Sequence, residues 1–579
     1  MVVPMISLAM IVRNEAKHLA ACLNNVRHLV GEIIIVDTGS TDETIGIARQ
    51  YTDKIYSFPW ENDFSAARNY AIEQCTGDWI LSLDADERLD SSRGTLQQLI
   101  ARYPEREAFF LPIYCQASAK ESSADTCIVL RLFRNLPCYR FRGKIHEQIP
   151  WPNQEAVMLA PFPLIHHAAS GSKERNRKRH RNLLLLQQEL TKQPEQLHYR
   201  YYISLEWLAW NHFDRALPGL RQVYGSLTET NITFRASAAR HIIYCLRMTG
   251  KLAEALAQTL QAAAEYPSYA DIYFEGGLTL EQMQEYEAAC RWFQAALDSG
   301  PPAPVFVHAV GTESFLASYH LGYCREKMQD FSAALATYRQ ALTQNPSFYY
   351  PLYPLCSLLL RRYPPAEMLS LLHSGGYLAR PEWARALAEF FFAAGEAEAA
   401  VLCSQKAGED AAGKLPVYLL YSGRALDVVA MYNRLSPASS GAPLPAEYTL
   451  ACLLCQNWDE ARQAALALWR SPACRSTAWV LLCLLDFYTG QTQYLYPEPA
   501  REPEIIASLL SILEHCLRCS AVLPSAGGLT QLSHNCILAL TERTRTGPAA
   551  LAAYWDDRRN RCEGKLAEQT GLPKELWSS

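Results

Sequence analysis

The chain changes its hydrophobic period near residue 190, and that change constrains the fold more than any single motif. Before it, short apolar runs alternate with helical spacing: Ile6 to Val12 (ISLAMIV), then Leu19, Leu23, Val26 and Leu29, then Glu32 to Asp37 (EIIIVD). Strand, helix, strand is the order parallel strands need, because their connection must cross over the sheet. Lys54 to Trp60 is a third strand candidate, Asn62 to Asn69 opens a helix, and Trp79 begins a fourth strand. After residue 190 the strand runs disappear and alanine-rich helical segments take over. One copy of a recurring pattern has Tyr273, Gly277, Ala289, Phe293, Ala296 and Pro301; the next has Leu321, Gly322, Ala334, Tyr338, Ala341 and Pro346. Small residues at those positions let two helices approach closely, while the aromatics fill the gap against the neighbouring pair. The sequence therefore predicts an α/β domain over residues 1–190, helical repeats over 191–365 and an irregular helical extension over 366–579.

The chemistry gathers where the fourth strand runs out. The stretch WILSLDADE places Asp84 and Asp86 at its carboxyl end, where open α/β sheets hold ligands. Two hard oxygen donors there suit a divalent cation on a diphosphate. Surface loops produce many D-x-D triplets, so the neighbouring segments carry the weight. Asp37 closes the second strand, and Thr38-Gly39-Ser40-Thr41-Asp42 follows it as a tight turn that can cap a helix opening near Glu43. An aspartate at a strand end can accept bonds from a base or a ribose. Arg68 rides on the helix opened by Asn62.

The order SLAMIVRNE, IIIVDTGSTDET, DFSAARN and WILSLDADE continues through Arg131-Leu132-Phe133-Arg134, Gly143-Lys144-Ile145-His146-Glu147 and Ile165-His166-His167. Over about the first third of the chain it resembles the nucleotide-sugar half of the family 2 glycosyltransferases, which have a GT-A, Rossmann-like fold. The resemblance implies that Asp37 helps hold the uracil and ribose of a UDP-sugar and that Arg68 lies near the nucleotide. It matches Asp84 and Asp86 to the metal and diphosphate motif and favours His166 as a third metal ligand. An imidazole beside two carboxylates suits Mn2+ as well as Mg2+. The implied reaction is inverting attack of an acceptor on the anomeric carbon, with Glu147 as the base and Glu87 and His146 as alternatives. The helical copies fit the tetratricopeptide pattern. The combination resembles bacterial S-glycosyltransferases of peptide bacteriocins, which implies a peptide or protein acceptor, and the repeats also offer a surface for a homodimer. A polysaccharide or glycolipid precursor as acceptor, and a tetratricopeptide scaffold with a relict catalytic domain, are the competing readings.

Composition narrows the partners. A formal net charge of −5 gives no reason to invoke nucleic acid or an anionic membrane. The 18 cysteines are scattered, which fits reduced thiols in a cytoplasmic protein. Cys452/Cys455 and Cys516/Cys519 form C-x-x-C pairs, but both fall in leucine-rich, helix-like runs and read as buried thiols rather than a zinc site. No segment reaches about 18 uninterrupted apolar residues, so no membrane span is expected. The apolar start is better explained as the first strand than as a leader. The basic run Lys173 to Arg181 reads as a solvated helix face with one arginine turned to the site. Ser299 to Pro304, Ser436 to Pro445 and Pro497 to Pro503 read as loops.

Overall fold

Alternate residues of β1 (Ile6–Val12) go to opposite faces of a sheet covered on both sides. Leu8, Met10 and Val12 pack with Leu19, Leu23 and Val26 of α1 (Leu19–Val26). Ala9 goes the other way, into a cluster with Ile34 and Val36 of β2 (Glu32–Asp37) and Ala71 and Ile72 of α3 (Phe64–Glu73). Double coverage explains why these strands read as continuous apolar runs. Between them come α2 (Thr44–Ala48) and the short β3 (Ile55–Ser57), and α3 leads into β4 (Trp79–Ser82). Asp63 caps α3, its side chain accepting from the Ala66 amide at 2.9 Å.

The remaining strands of the domain are β5 (Glu87–Leu89), β6 (Ala108–Cys115), β7 (Asp125–Arg134), β8 (Val157–Leu159) and β9 (Leu164–His166), with α4 (Leu96–Arg102) between β5 and β6. The sheet runs β3-β2-β1-β4-β7-β6-β9-β5, with β8 alongside β6. Its first four strands are parallel; β7 then pairs antiparallel with both β4 and β6. The computed structural model describes residues 4–90, 92, 94–115, 125–151, 153–166, 172–228, 231–409, 413–435 and 445–489. The expected loop Pro497 to Pro503, the pair Cys516/Cys519, His167 and all of Ser436 to Pro445 except Pro445 lie outside those residues.

Helices follow, as the change of period requires: α5 (Ser172–Lys192), α6 (Leu197–Ala209), α7 (Phe213–Ser226), α8 (Ile232–Met248), α9 (Leu252–Glu265), α10 (Ala270–Gln282) and α11 (Tyr286–Ser299). The small residues do what their spacing suggests. A Cβ on Gly277 would stand 2.5 Å from the Phe293 ring, and one on Gly322 would stand 2.7 Å from the Tyr338 ring. After α11 the repeat is interrupted by β10 (His308–Ala309), which pairs antiparallel with Asp125 and Thr126 of β7. Then α12 (Phe315–Lys327) and α13 (Phe331–Gln344) resume it. The sheet and these helices form one compact unit, Met1–Pro351. The second unit, Leu352–Ser579, is helical over its described residues, from Leu352–Leu360 to Arg475–Thr489. Ala446–Leu454 and Trp458–Trp469 form the helix pair expected near residue 460, and Cys452 and Cys455 are free thiols there. Among the described residues no helix is long and apolar enough to cross a membrane.

Candidate active site

The carboxyl ends of β1, β2 and β4 lie side by side, since Val12 pairs with Asp37 and Ala9 with Ser82. The chain leaves β4 at Ser82, and the turn through Asp84 and Asp86 re-enters the sheet at Glu87. Three elements converge on Asp84. Arg68 of α3 donates from Nη2 to Asp84 Oδ1 at 2.7 Å and from Nε to Glu147 Oε1 at 2.6 Å. Arg131 of β7 donates from one nitrogen to Asp84 Oδ2 at 2.7 Å and to Glu87 Oε1 at 2.6 Å. The second Glu87 oxygen accepts from the Asp84 amide at 3.0 Å. Both Glu87 oxygens are therefore engaged, and its side chain is 3% exposed. The Glu147 side chain is 12% exposed, with Oε1 on Arg68.

Burial works to raise the Asp84 pKa, but the two guanidiniums outweigh it and hold the carboxyl well below the usual range. Burial pushes Glu87 up instead. Two buried cations against three carboxylates make a network in which each charge has a partner. Nη1 of Arg68 and Nε of Arg131 are buried without a hydrogen-bond partner, so the network keeps donor capacity in reserve.

Asp86 points away from this network. Its Oδ2 lies 3.1 Å from Nε2 of His166, the last residue of β9. The pairing of Glu87 with His166 across β5 and β9 brings this about. Glu15, just past β1, is pushed up to about 7, first by burial and then by the charges of Asp86, Asp84 and Asp42, with Lys178 of α5 opposing. Anionic crowding of this kind is relieved by a cation. Among the described residues no three His, Cys, Asp or Glu side chains already converge as a metal cage. Asp86 and His166 together offer one oxygen and one nitrogen donor 3.1 Å apart, a pair whose chemistry suits a divalent ion.

Asp37 lies on the same edge but outside the arginine network. It accepts from the amides of Gly39 (φ +102) at 3.3 Å and Ser40 at 3.0 Å, which hold the turn after β2. Asn14 (φ +56), just past β1, clasps that turn: its side-chain oxygen accepts from the Thr41 amide at 2.7 Å and its own backbone amide donates to Ser40 Oγ at 3.0 Å. Of the residues singled out from the sequence, the structure brings Arg68, Asp84 and Glu147 into direct contact, and Asp86 and His166 likewise. His146 stands apart: burial and the neighbouring His198 push it down to about 4. Local sequence pattern gives no role to Arg131, within Arg131-Leu132-Phe133-Arg134, or to Glu15. A charged residue within the apolar strand LRLF was the available signal for Arg131. Of the basic run, residues 175–181 are largely exposed, with Arg181 over the Phe64 ring at 5.4 Å.

Residues 7–152 match the family model described as Glycosyl transferase family 2, and residues 317–348 match a tetratricopeptide repeat. The chain is 31% identical over 340 residues to a TPR repeat-containing protein of Synechococcus elongatus, covering 58% of this chain and 66% of that one. It is 29% identical over 298 residues to the SPbeta prophage-derived glycosyltransferase SunS of Bacillus subtilis, covering 48% of this chain and 68% of the relative. Each match thus spans about two thirds of the relative's length. Among solved structures, MamA aligns with 14% identity and a TM-score of 0.25, over 31% of this chain and 96% of that one.

Proposed function

From a chain whose N-terminal domain belongs to glycosyltransferase family 2 and whose helices carry a tetratricopeptide repeat, we propose an inverting, metal-dependent transferase that moves a sugar from a UDP-sugar to a peptide or protein acceptor. The observation that carries this reading is the split of carboxylates at the end of β4. Asp84 is neutralised by two buried arginines, while Asp86 is left beside His166.

Asp37, braced by the Gly39 and Ser40 amides, faces the uridine. Arg68 and Arg131 fix the turn and hold Asp84 ionised, so the loop presents Asp86 in one position. Asp86 and His166 would hold Mn2+ or Mg2+. The ion, when bound, offsets the charge that develops on departing UDP. Glu147 takes the acceptor's proton: Arg68 orients it through Oε1, and Oε2 makes no hydrogen bond to the described residues. Glu87 is too enclosed for that task, with both oxygens engaged. The peptide or protein acceptor follows from the resemblance to peptide-modifying enzymes and from the groove a helical array offers.

The test has two parts. Melting of the full chain against a panel of nucleotide sugars, with and without Mn2+, should show stabilisation by one UDP-sugar that depends on the metal. Glu147→Gln should then leave UDP-sugar affinity near wild type and lower turnover by about two to four orders of magnitude. Turnover that persists while affinity collapses would make Glu147 a binding residue.

A further inference from the structure

The loop that carries Glu147 is anchored on helices rather than on the sheet. Arg142 and Gln148 close it with two backbone bonds, at 2.8 and 3.0 Å. On one side, the first turn of α3 grips its backbone. The Phe64 amide donates to the Lys144 carbonyl at 2.9 Å, and Ser65 Oγ donates to the Gly143 carbonyl at 2.5 Å. On the other side, Ile145 is buried with Leu185 and Leu186 of α5 and Tyr199 of α6. The tip is His146, whose ring lies flat on Tyr202 of α6, with centroids 3.7 Å apart and planes 2° from parallel.

His146 has φ +50, a left-handed backbone that is uncommon for a residue with a side chain, although histidine, like asparagine and aspartate, adopts it more readily than most. Its Nε2 is buried with no hydrogen-bond partner, so the ring is held by stacking and enclosure. The next residue is Glu147, and the direction in which His146 leaves its peptide decides where that carboxylate points. We propose that Tyr202, on the second of the helices that follow the sheet domain, is a positioning residue for the catalytic base: its ring seats His146 and thereby holds Glu147 against Arg68. This rests on the reading of Glu147 as the base. It makes α6 part of the catalytic apparatus as well as the start of the helical array, and it gives His146 a structural task in place of proton transfer.

The experiment uses the full chain, Mn2+ and the UDP-sugar that stabilises the wild type, and it follows donor hydrolysis and UDP binding. Tyr202→Phe keeps the stack and should retain wild-type kcat. Tyr202→Leu should lower kcat by about 10- to 100-fold, the scale of a catalytic group displaced by about 1 Å, with KM and UDP affinity unchanged. His146→Asn tolerates the left-handed backbone and should show the same loss, which covers the case in which Tyr202→Leu does not fold. In a Glu147→Gln background, neither change should lower kcat further. Wild-type kcat in a folded Tyr202→Leu, wild-type kcat in His146→Asn, or losses that multiply with Glu147→Gln would overturn the proposal. A wild-type Glu147→Gln would instead overturn the assignment of the base, so the two failures are distinguishable.

Discussion

Within the first unit the helices meet the sheet domain at two seams built from opposite chemistry. At the seam beside the site, His146 is neutral and stacks on Tyr202. At the seam made by β10, His308 is ionised. Its Nδ1 lies 2.6 Å from Asp271 and its Nε2 3.1 Å from Glu313, and Arg240 brings a second cation to Asp271 at 3.3 Å. Burial opposes protonation there, yet the two carboxylates raise His308 to about 9. Asp271 also accepts from the Ala309 amide at 2.8 Å, so the ion cluster fixes the residues that pair with β7. The difference separates two ways of joining domains. Beside the site, where Asp84, Asp86, Glu87 and Glu147 already crowd, the stacked pair of His146 and Tyr202 adds no charge to disturb them. At β10 a two-residue strand has little packing of its own, and a buried charge cluster supplies the specificity.

The largest effect should come from Asp86→Ala, which removes the proposed metal ligand and leaves both seams intact. Metal-dependent turnover should be abolished with the urea midpoint near wild type, because a side chain at a strand end contributes little to the core. Unchanged turnover would remove Asp86 from the mechanism. Next is Arg131→Met, which strands the buried Glu87 carboxylate without its cation. Breaking one partner of such a network costs about 3–5 kcal/mol, read as a lowered midpoint in urea unfolding. A midpoint within error of wild type would mean the network holds the turn without stabilising the fold.

The two seams also predict stability slopes of opposite sign. His308 has a folded pKa raised from 6.5 to about 9, so its contribution is complete below pH 6.5 and is lost as pH rises through 9. At about 1.4 kcal/mol per unit, that limb amounts to about 3 kcal/mol. His146 is depressed from 6.5 to about 4, so the stability it confers is present above pH 6.5 and is lost as pH falls towards 4. Denaturant melts across this range should show His308→Gln flattening the alkaline limb and His146→Asn flattening part of the acid limb. If either substitution changes the other limb, the seams are coupled and the comparison fails.

What the sequence made legible follows the range of each signal. Asp84, Asp86 and Arg68 were readable because strand ends and helix starts place them by local pattern. Arg131 gained no role because its partners Asp84 and Glu87 lie 47 and 44 residues away, and a lone arginine in a strand announces neither. Strands β5, β8 and β9 have three residues each, too short for an alternating pattern to stand out. For β10 a signal existed. Gly277 and Gly322 are 45 positions apart, about 11 more than the repeat length of roughly 34. The extra residues lie in the connection between α11 and α12 that carries His308, so the break in period marks where the array reaches back to the sheet.

The smallest effect is expected from removing the second unit. Every residue of the proposed site, both seams and the matched repeat at 317–348 lie in Met1–Pro351. A fragment ending at Pro351 keeps the arginine network, the Asp86 and His166 pair, and the Tyr202 stack. UDP affinity and donor hydrolysis should therefore stay within about twofold of the full chain, a change of about 0.4 kcal/mol. Transfer to a peptide or protein acceptor is the discriminating reading, because water needs no groove and an extended acceptor does. Weakened transfer with intact hydrolysis would assign acceptor docking to the distal helices. Transfer and hydrolysis both at full strength would place the whole acceptor path within the first unit and leave the distal helices to another partner. Loss of donor hydrolysis in a folded fragment would break the comparison altogether, since it would mean the site depends on a part of the chain that neither seam involves.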